Sequence, residues 1–109
     1  ESTAWHCVNR VQQHPGLKMW LAHCSGRWEE VARIIAPYPG LCLDVSGGEP
    51  EAGVVECLLQ TIGPERIFFG SDVPGRSFIV QMSKVLSAEI PEDWKCMILG
   101  ENIMRWMRP

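Results

Sequence analysis

The sequence predicts an α/β fold in which three parallel strands alternate with helices, and three observations lead there. Apolar runs at 18–22 (KMWLA), 41–45 (LCLDV) and 66–69 (RIFF) are too short for helices and read as buried strands. Each run empties into small, polar or glycine residues, at 23–26, 46–50 and 70–75, as a strand does on entering a loop. Between the runs, apolar residues recur at helical spacing, and short strand-helix-strand connections are right-handed and force their strands to lie parallel. The middle run is therefore expected between the other two.

Taken in order, residues 2–13 place Ala4, Trp5, Val8 and Val11 along one side of a helix, which His14-Pro15-Gly16 stops by removing an amide donor. The first strand follows at 18–22. Residues 28–36 resume helical spacing with Val31, Ile34 and Ile35 until Pro37 and Pro39. After the second strand, residues 53–62 turn Val54, Val55, Leu58, Leu59 and Ile62 inward, and Gly63-Pro64 ends that helix. The third strand precedes a helix marked by Phe78, Val80, Met82, Val85 and Leu86. Pro91 opens the last helical stretch at a favourable first-turn position, and Gly100 within it predicts a kink.

The 109 residues are 46% hydrophobic with a formal charge of −3, which describes one well-cored unit and leaves no room for a second domain. Ten Lys and Arg against thirteen Asp and Glu, without a basic cluster, give no reason to expect nucleic acid or an anionic membrane. Nor is there an apolar run long enough to cross a bilayer. Five cysteines, odd in number and never spaced CxxC, read as reduced packing residues of a cytoplasmic protein. Because the chain begins at Glu1 and opens directly into a helical pattern, it reads as a piece of a longer protein. Three strands alone would leave both edges of an apolar sheet unpaired, which favours self-association.

Parallel connectivity brings the three loops to one end of the sheet, the end at which α/β folds bind ligands. Asp72 follows the most apolar strand, so it reads either as a site carboxylate or as a residue that caps the next helix or shapes the turn. His23 follows the first strand, where an imidazole serves as acid, base, substrate contact or metal ligand, or else caps a helix or bonds a carbonyl. His6 and His14 read as structural. Cys24, beside His23, points away from it on an extended chain and makes no nucleophilic dyad. Asp44, inside the second strand, reads as a hydrogen-bonded structural carboxylate rather than a catalytic one. Gly47-Gly48 matches no phosphate-binding pattern and reads as a turn. The five Trp and five Met fall at core spacing and call for no cofactor.

Taken together, LAHCSG at 21–26, LDVSG at 43–47, ERIFFGSDVPG at 65–75 and ILGENIMRW at 98–106 resemble the carboxyl-terminal part of the amidohydrolase-related metal-dependent hydrolases, in the branch of the aminocarboxymuconate-semialdehyde decarboxylase-like enzymes. The resemblance implies a partial (β/α)8 TIM barrel, these strands being the sixth, seventh and eighth. It implies that Asp72 binds a divalent metal, usually zinc, and takes part in catalysis. It implies too that His23 contacts substrate or the attacking water, or in some members a second metal. The His-x-His of a first strand and a fifth-strand histidine are absent from the sequence, so the 109 residues by themselves are expected to be inactive.

The function expected of the longer parent is hydrolysis or non-oxidative decarboxylation of a small carboxylated compound, with Arg76 as a candidate contact for the substrate carboxylate. A small-molecule substrate is the expected partner, with neither nucleic acid nor membrane, and a homo-oligomer of the parent is compatible with the sequence. The rival is a non-catalytic small α/β module that binds an anion or assembles with a partner.

Overall fold

A computed structural model describes residues 4–23, 27–48 and 51–108. Its elements run α1 (Ala4–Gln13), β1 (Met19–Leu21), α2 (Trp28–Ile35), β2 (Leu41–Asp44), α3 (Val54–Ile62), a 3-10 turn (Pro64–Arg66), β3 (Ile67–Phe68), α4 (Phe78–Leu86), α5 (Glu92–Cys96), a π turn (Met97–Glu101) and α6 (Asn102–Trp106). The sheet has the order β1-β2-β3, both pairs parallel, as the alternation predicts. Each strand is a residue or more shorter than its apolar run.

The pairing Met19 with Leu41, Leu21 with Leu43 and Leu43 with Ile67 puts five large apolar residues on one sheet face. The helices α1 to α3 cover that face. Val8 and Val11 from α1, Val31 and Ile35 from α2, and Val55, Leu58 and Ile62 from α3 bury there at i, i+3, i+4 spacing. The opposite face carries Trp20, Cys42, Asp44 and Phe68, because side chains alternate along a strand. Phe68 holds it together, edge-on to Trp20 at 4.8 Å and to Trp106 of α6 at 5.5 Å. Burial pushes the Cys42 thiol up from its ordinary pKa, against an opposing pull from Arg66, Lys18 and Arg105. Cys7, Cys42, Cys57 and Cys96 are free thiols, and Cys96 is exposed, not a packing residue.

Several core assignments from the sequence are corrected. Trp5 is 57% exposed, and it is Cys7 that completes the buried stripe of α1 with Ala4. In α4 the apolar residues Phe78, Val80 and Leu86 face outward, whereas Gln81 and Val85 are buried. The reason is composition: α4 is apolar around most of its circumference, so periodicity alone does not choose a face. Met104 and Met107 are exposed as well. Cys24 and Gly26 lie outside the described residues.

The kink expected near Gly100 takes the form of the π turn, in which the Asn102 N–H reaches back five residues to Met97 O. Widening the helix there lets Ile98 O accept the Phe69 N–H at 3.0 Å and turns Asn102 inward. Buried Asn102 Nδ2 donates to Pro64 O and Ile67 O at 2.6 and 2.8 Å, and its Oδ1 accepts from Arg105. Arg66 closes the same end of the sheet. Its guanidinium donates to Leu41 O (2.9 Å), Ala36 O (3.1 Å), Ile35 O (2.7 Å) and Tyr38 O (2.8 Å), bracing the end of α2, the following turn and the start of β2; Ile35 O and Tyr38 O accept the Tyr38 and Leu41 N–H groups as well. Among the described residues no helix is long and apolar enough to cross a membrane.

Losing four hydrogen bonds from one part-buried guanidinium makes Arg66→Ala costly, even though Ile35 O and Tyr38 O keep a backbone donor. The expected loss is about 3 kcal/mol or more, against under about 0.5 kcal/mol for Arg76→Ala on the exposed loop. Urea denaturation of both variants measures the difference, and equal midpoints would show that the Arg66 bonds do not support the fold.

Candidate active site

The site is built from the carboxyl ends of the three strands. Asp44 ends β2 and is 5% exposed, and a charge so placed needs partners on both oxygens. It has them. Oδ1 accepts from the His23 N–H (3.0 Å), the Ser46 N–H (2.9 Å) and the Ser46 hydroxyl (2.5 Å), while Oδ2 accepts from Trp20 Nε1–H (2.8 Å). The sequence expectation of a structural, hydrogen-bonded carboxylate is what the geometry gives. The same carboxylate joins the end of β1 to the loop after β2.

His23, exposed at the end of β1, has a backbone φ of 60°, a conformation that L-residues adopt at a cost of roughly 1–2 kcal/mol. Its N–H bond to Asp44 holds that turn of the chain. The imidazole lies over the β2 loop, with Nδ1 3.0 Å from Ser46 Oγ and 3.2 Å from Ser46 O. Gly47, buried with φ 69°, forms the floor. A Cβ there would collide with His23 Nδ1, so the glycine serves close approach to the ring as well as the turn. Lys84 from α4 fixes this loop from behind, its Nζ donating to Val45 O (2.8 Å) and Gly47 O (2.5 Å).

The loop after β3 backs onto the same network. A Cβ on Gly70 would meet Ser46 Cβ at 3.0 Å and Asp44 Oδ2 at 3.5 Å, so only glycine lets the two loops touch. Two residues on, Asp72 is exposed with φ 58°. It does not cap α4: the residue before that helix is Ser77, and no side-chain cap bond forms there. Instead its carbonyl accepts the Arg76 N–H at 3.0 Å, closing the turn. Arg76 is exposed, two residues ahead of α4. Among the described residues no hydrogen bond or ion pair joins Asp72 or Arg76 to His23; what unites them is their place at one end of a parallel sheet.

Residues 2–108 match the sequence model of the amidohydrolase family. The chain belongs to that family. Solved structures of similar fold include 5-carboxyvanillate decarboxylase LigW from Sphingomonas paucimobilis, at 18% identity and a TM-score of 0.73 over 88% of this chain and 35% of that one. An amidohydrolase from Burkholderia multivorans with bound zinc aligns at 18% identity and a TM-score of 0.76, over 94% of this chain and 48% of that one. A dihydroxybenzoic acid decarboxylase from Polaromonas, with bound manganese and the inhibitor 2-nitroresorcinol, aligns at 17% and 0.73, over 87% and 35%. The amidohydrolase chain described here thus spans about a third to a half of these structures. No curated protein matches it. Its fold, three parallel strands with flanking helices, is that of part of a (β/α)8 barrel.

Among the described residues no group of three or more His, Cys, Asp or Glu is placed to hold a metal ion, and one Asp72 carboxylate is not a site by itself. Nor do His23 and Asp72 line the recess of about 550 Å³ between α3 and α4, which is walled by Glu51, Glu56, Lys84 and Glu89. Sequence reasoning missed Ser46 and the purpose of Gly47. The available signal was the Asp-x-Ser-Gly order at 44–47, which puts a carboxylate and a hydroxyl on one side of an extended chain just before a residue without a side chain.

Gly47→Ala adds a methyl group where the imidazole sits and takes a positive φ that alanine resists. The expected cost is about 1–2 kcal/mol of stability, together with displacement of His23. Chemical denaturation and the amide and ring resonances of His23 read the two effects; an unshifted His23 would show that the ring does not rest on Gly47.

Proposed function

We propose that the chain is the carboxyl-terminal part of a metal-dependent amidohydrolase barrel that decarboxylates or hydrolyses a small carboxylated, aromatic or cyclic compound. The observation that carries this is the arrangement of the loop face. His23 and Asp72 each leave the end of a parallel strand in the left-handed conformation, and their loops are packed on one Asp44–Ser46 network. Left-handed backbone at non-glycine residues concentrates at functional sites. The family membership supports the general chemistry, and the aromatic acids in the names of two structural neighbours support the substrate class.

On this reading each residue has a separate task. His23 presents its imidazole to the substrate as a proton acceptor or donor, in a solvated position where it can reach a small molecule. Asp72 supplies one carboxylate to the divalent metal, zinc or manganese in the neighbours, whose other ligands would come from strands outside these 109 residues. When bound, such a metal supplies Lewis acidity. Arg76 would offer its guanidinium to the substrate carboxylate. The separate ends of β1 and β3, with β2 between them, keep the proton-handling group apart from the metal-binding one.

The test uses the complete reading frame. Asp72→Ala should strip the divalent metal and abolish activity toward dihydroxybenzoates, whereas His23→Ala should keep the metal and lower kcat by about 10²–10⁴-fold. Calorimetric titration of the 109-residue chain with zinc should show no tight stoichiometric binding. Full activity in His23→Ala, or tight zinc binding to the chain that vanishes in Asp72→Ala, would overturn these assignments.

A further inference from the structure

We propose that Ser46, backed by Asp44, is a positioning residue that holds His23 in the Nδ1–H tautomer, so that Nε2 is the nitrogen offered to substrate. The argument is one of proton counting. Ser46 has a single hydroxyl proton, and the carboxylate of Asp44, 2.5 Å away, is the strongest acceptor within reach. With that proton committed, Ser46 Oγ can only accept from His23 Nδ1 at 3.0 Å. The Ser46 carbonyl, 3.2 Å from the same nitrogen, can never do anything else. Two acceptors therefore face Nδ1, and a nitrogen facing two acceptors carries the proton. Because a neutral imidazole has one N–H, Nε2 is left with its lone pair.

The surroundings hold this arrangement rigidly. Asp44 receives both N–H groups that flank the contact, from His23 and Ser46, and the Trp20 indole on its other oxygen. Lys84 pins the carbonyls of Val45 and Gly47 on either side of Ser46. Gly47 leaves the ring no methyl group to ride over. When Nε2 takes a proton, Nδ1 keeps its own, the Ser46 hydroxyl proton stays directed at Asp44, and the new positive charge lies two hydrogen bonds from a buried carboxylate. No proton needs to move along the chain. Asp44 and Ser46 orient the imidazole without touching substrate.

The tautomer stands on the geometry alone; its use in catalysis rests on the function proposed above. The test is a long-range proton–nitrogen correlation spectrum of the 15N-labelled 109-residue chain, recorded about two units above the ordinary histidine pKa. His23 should show a protonated Nδ1 and a bare Nε2, while exposed His14 serves as the freely averaging reference. Ser46→Ala removes one of the two acceptors and should weaken the Nδ1–H preference, the carbonyl of residue 46 keeping part of it. Asp44→Asn should move it beyond the His14 average toward the Nε2–H form, because the freed Ser46 proton can then point at Nδ1, whereas loss of packing returns it only as far as that average. A wild-type His23 that averages like His14, or that is protonated at Nε2, overturns the proposal even if neither variant folds. In the full-length protein Ser46→Ala is expected to lower kcat by about 10²-fold with KM little changed. Should the tautomer be as stated while His23→Ala leaves kcat intact, it is the functional reading that fails.

Discussion

A carboxylate taken out of water has to be given back the hydrogen bonds it lost, and in this chain that requirement falls on Asp44. Its two oxygens are met by donors from Trp20, His23 and Ser46, drawn from the strand beside it and the loop beyond it. Removing any one partner leaves part of the charge unsatisfied, so the loop conformations are specified together rather than one by one. The left-handed turn at His23 follows from this constraint, since its amide must reach Oδ1. So does the closeness of Gly70, whose lack of a side chain admits the third loop to the same cluster.

The opposite end of the sheet obeys the same rule with the signs reversed. There the groups that are met are carbonyls, and Arg66 and Asn102 supply the donors. In (β/α)8 barrels generally, the ends at which strands begin serve stability and active sites sit at the ends at which they finish. The two ends of a strand such as β3 are separated by only two residues, Ile67 and Phe68. Each is therefore fastened by side chains from elsewhere rather than by its own length.

Strand order, direction and the helix-covered face are legible in the sequence because short apolar runs ending in glycine and hydroxyl residues have few other places to go in an alternating chain. The loop face is legible for the same reason, and His23 and Asp72 stand out as polar residues directly after buried strands. Side-chain partnerships are not legible. The bonds between Ser46 and His23 span 23 residues, and nothing local to Ser46 announces them. In α4 the pattern misleads, since Phe78, Ile79 and Val80 are all apolar and the face that packs is chosen by Gln81 and Val85. Gly47 was visible as a turn residue, but the ring it accommodates arrives from another strand.

Arg66 also reaches far along the chain. Its partners lie 25 to 31 residues upstream, on the end of α2, the turn after it and the start of β2, so the guanidinium has nothing to bind until all three are assembled. Loops of that length cost chain entropy to close, and one guanidinium closes them together. A residue that looks like a static brace thus acts as a knot: the end of α2, the turn after it and the start of β2 are tied to one side chain, and loosening any of them loosens the rest.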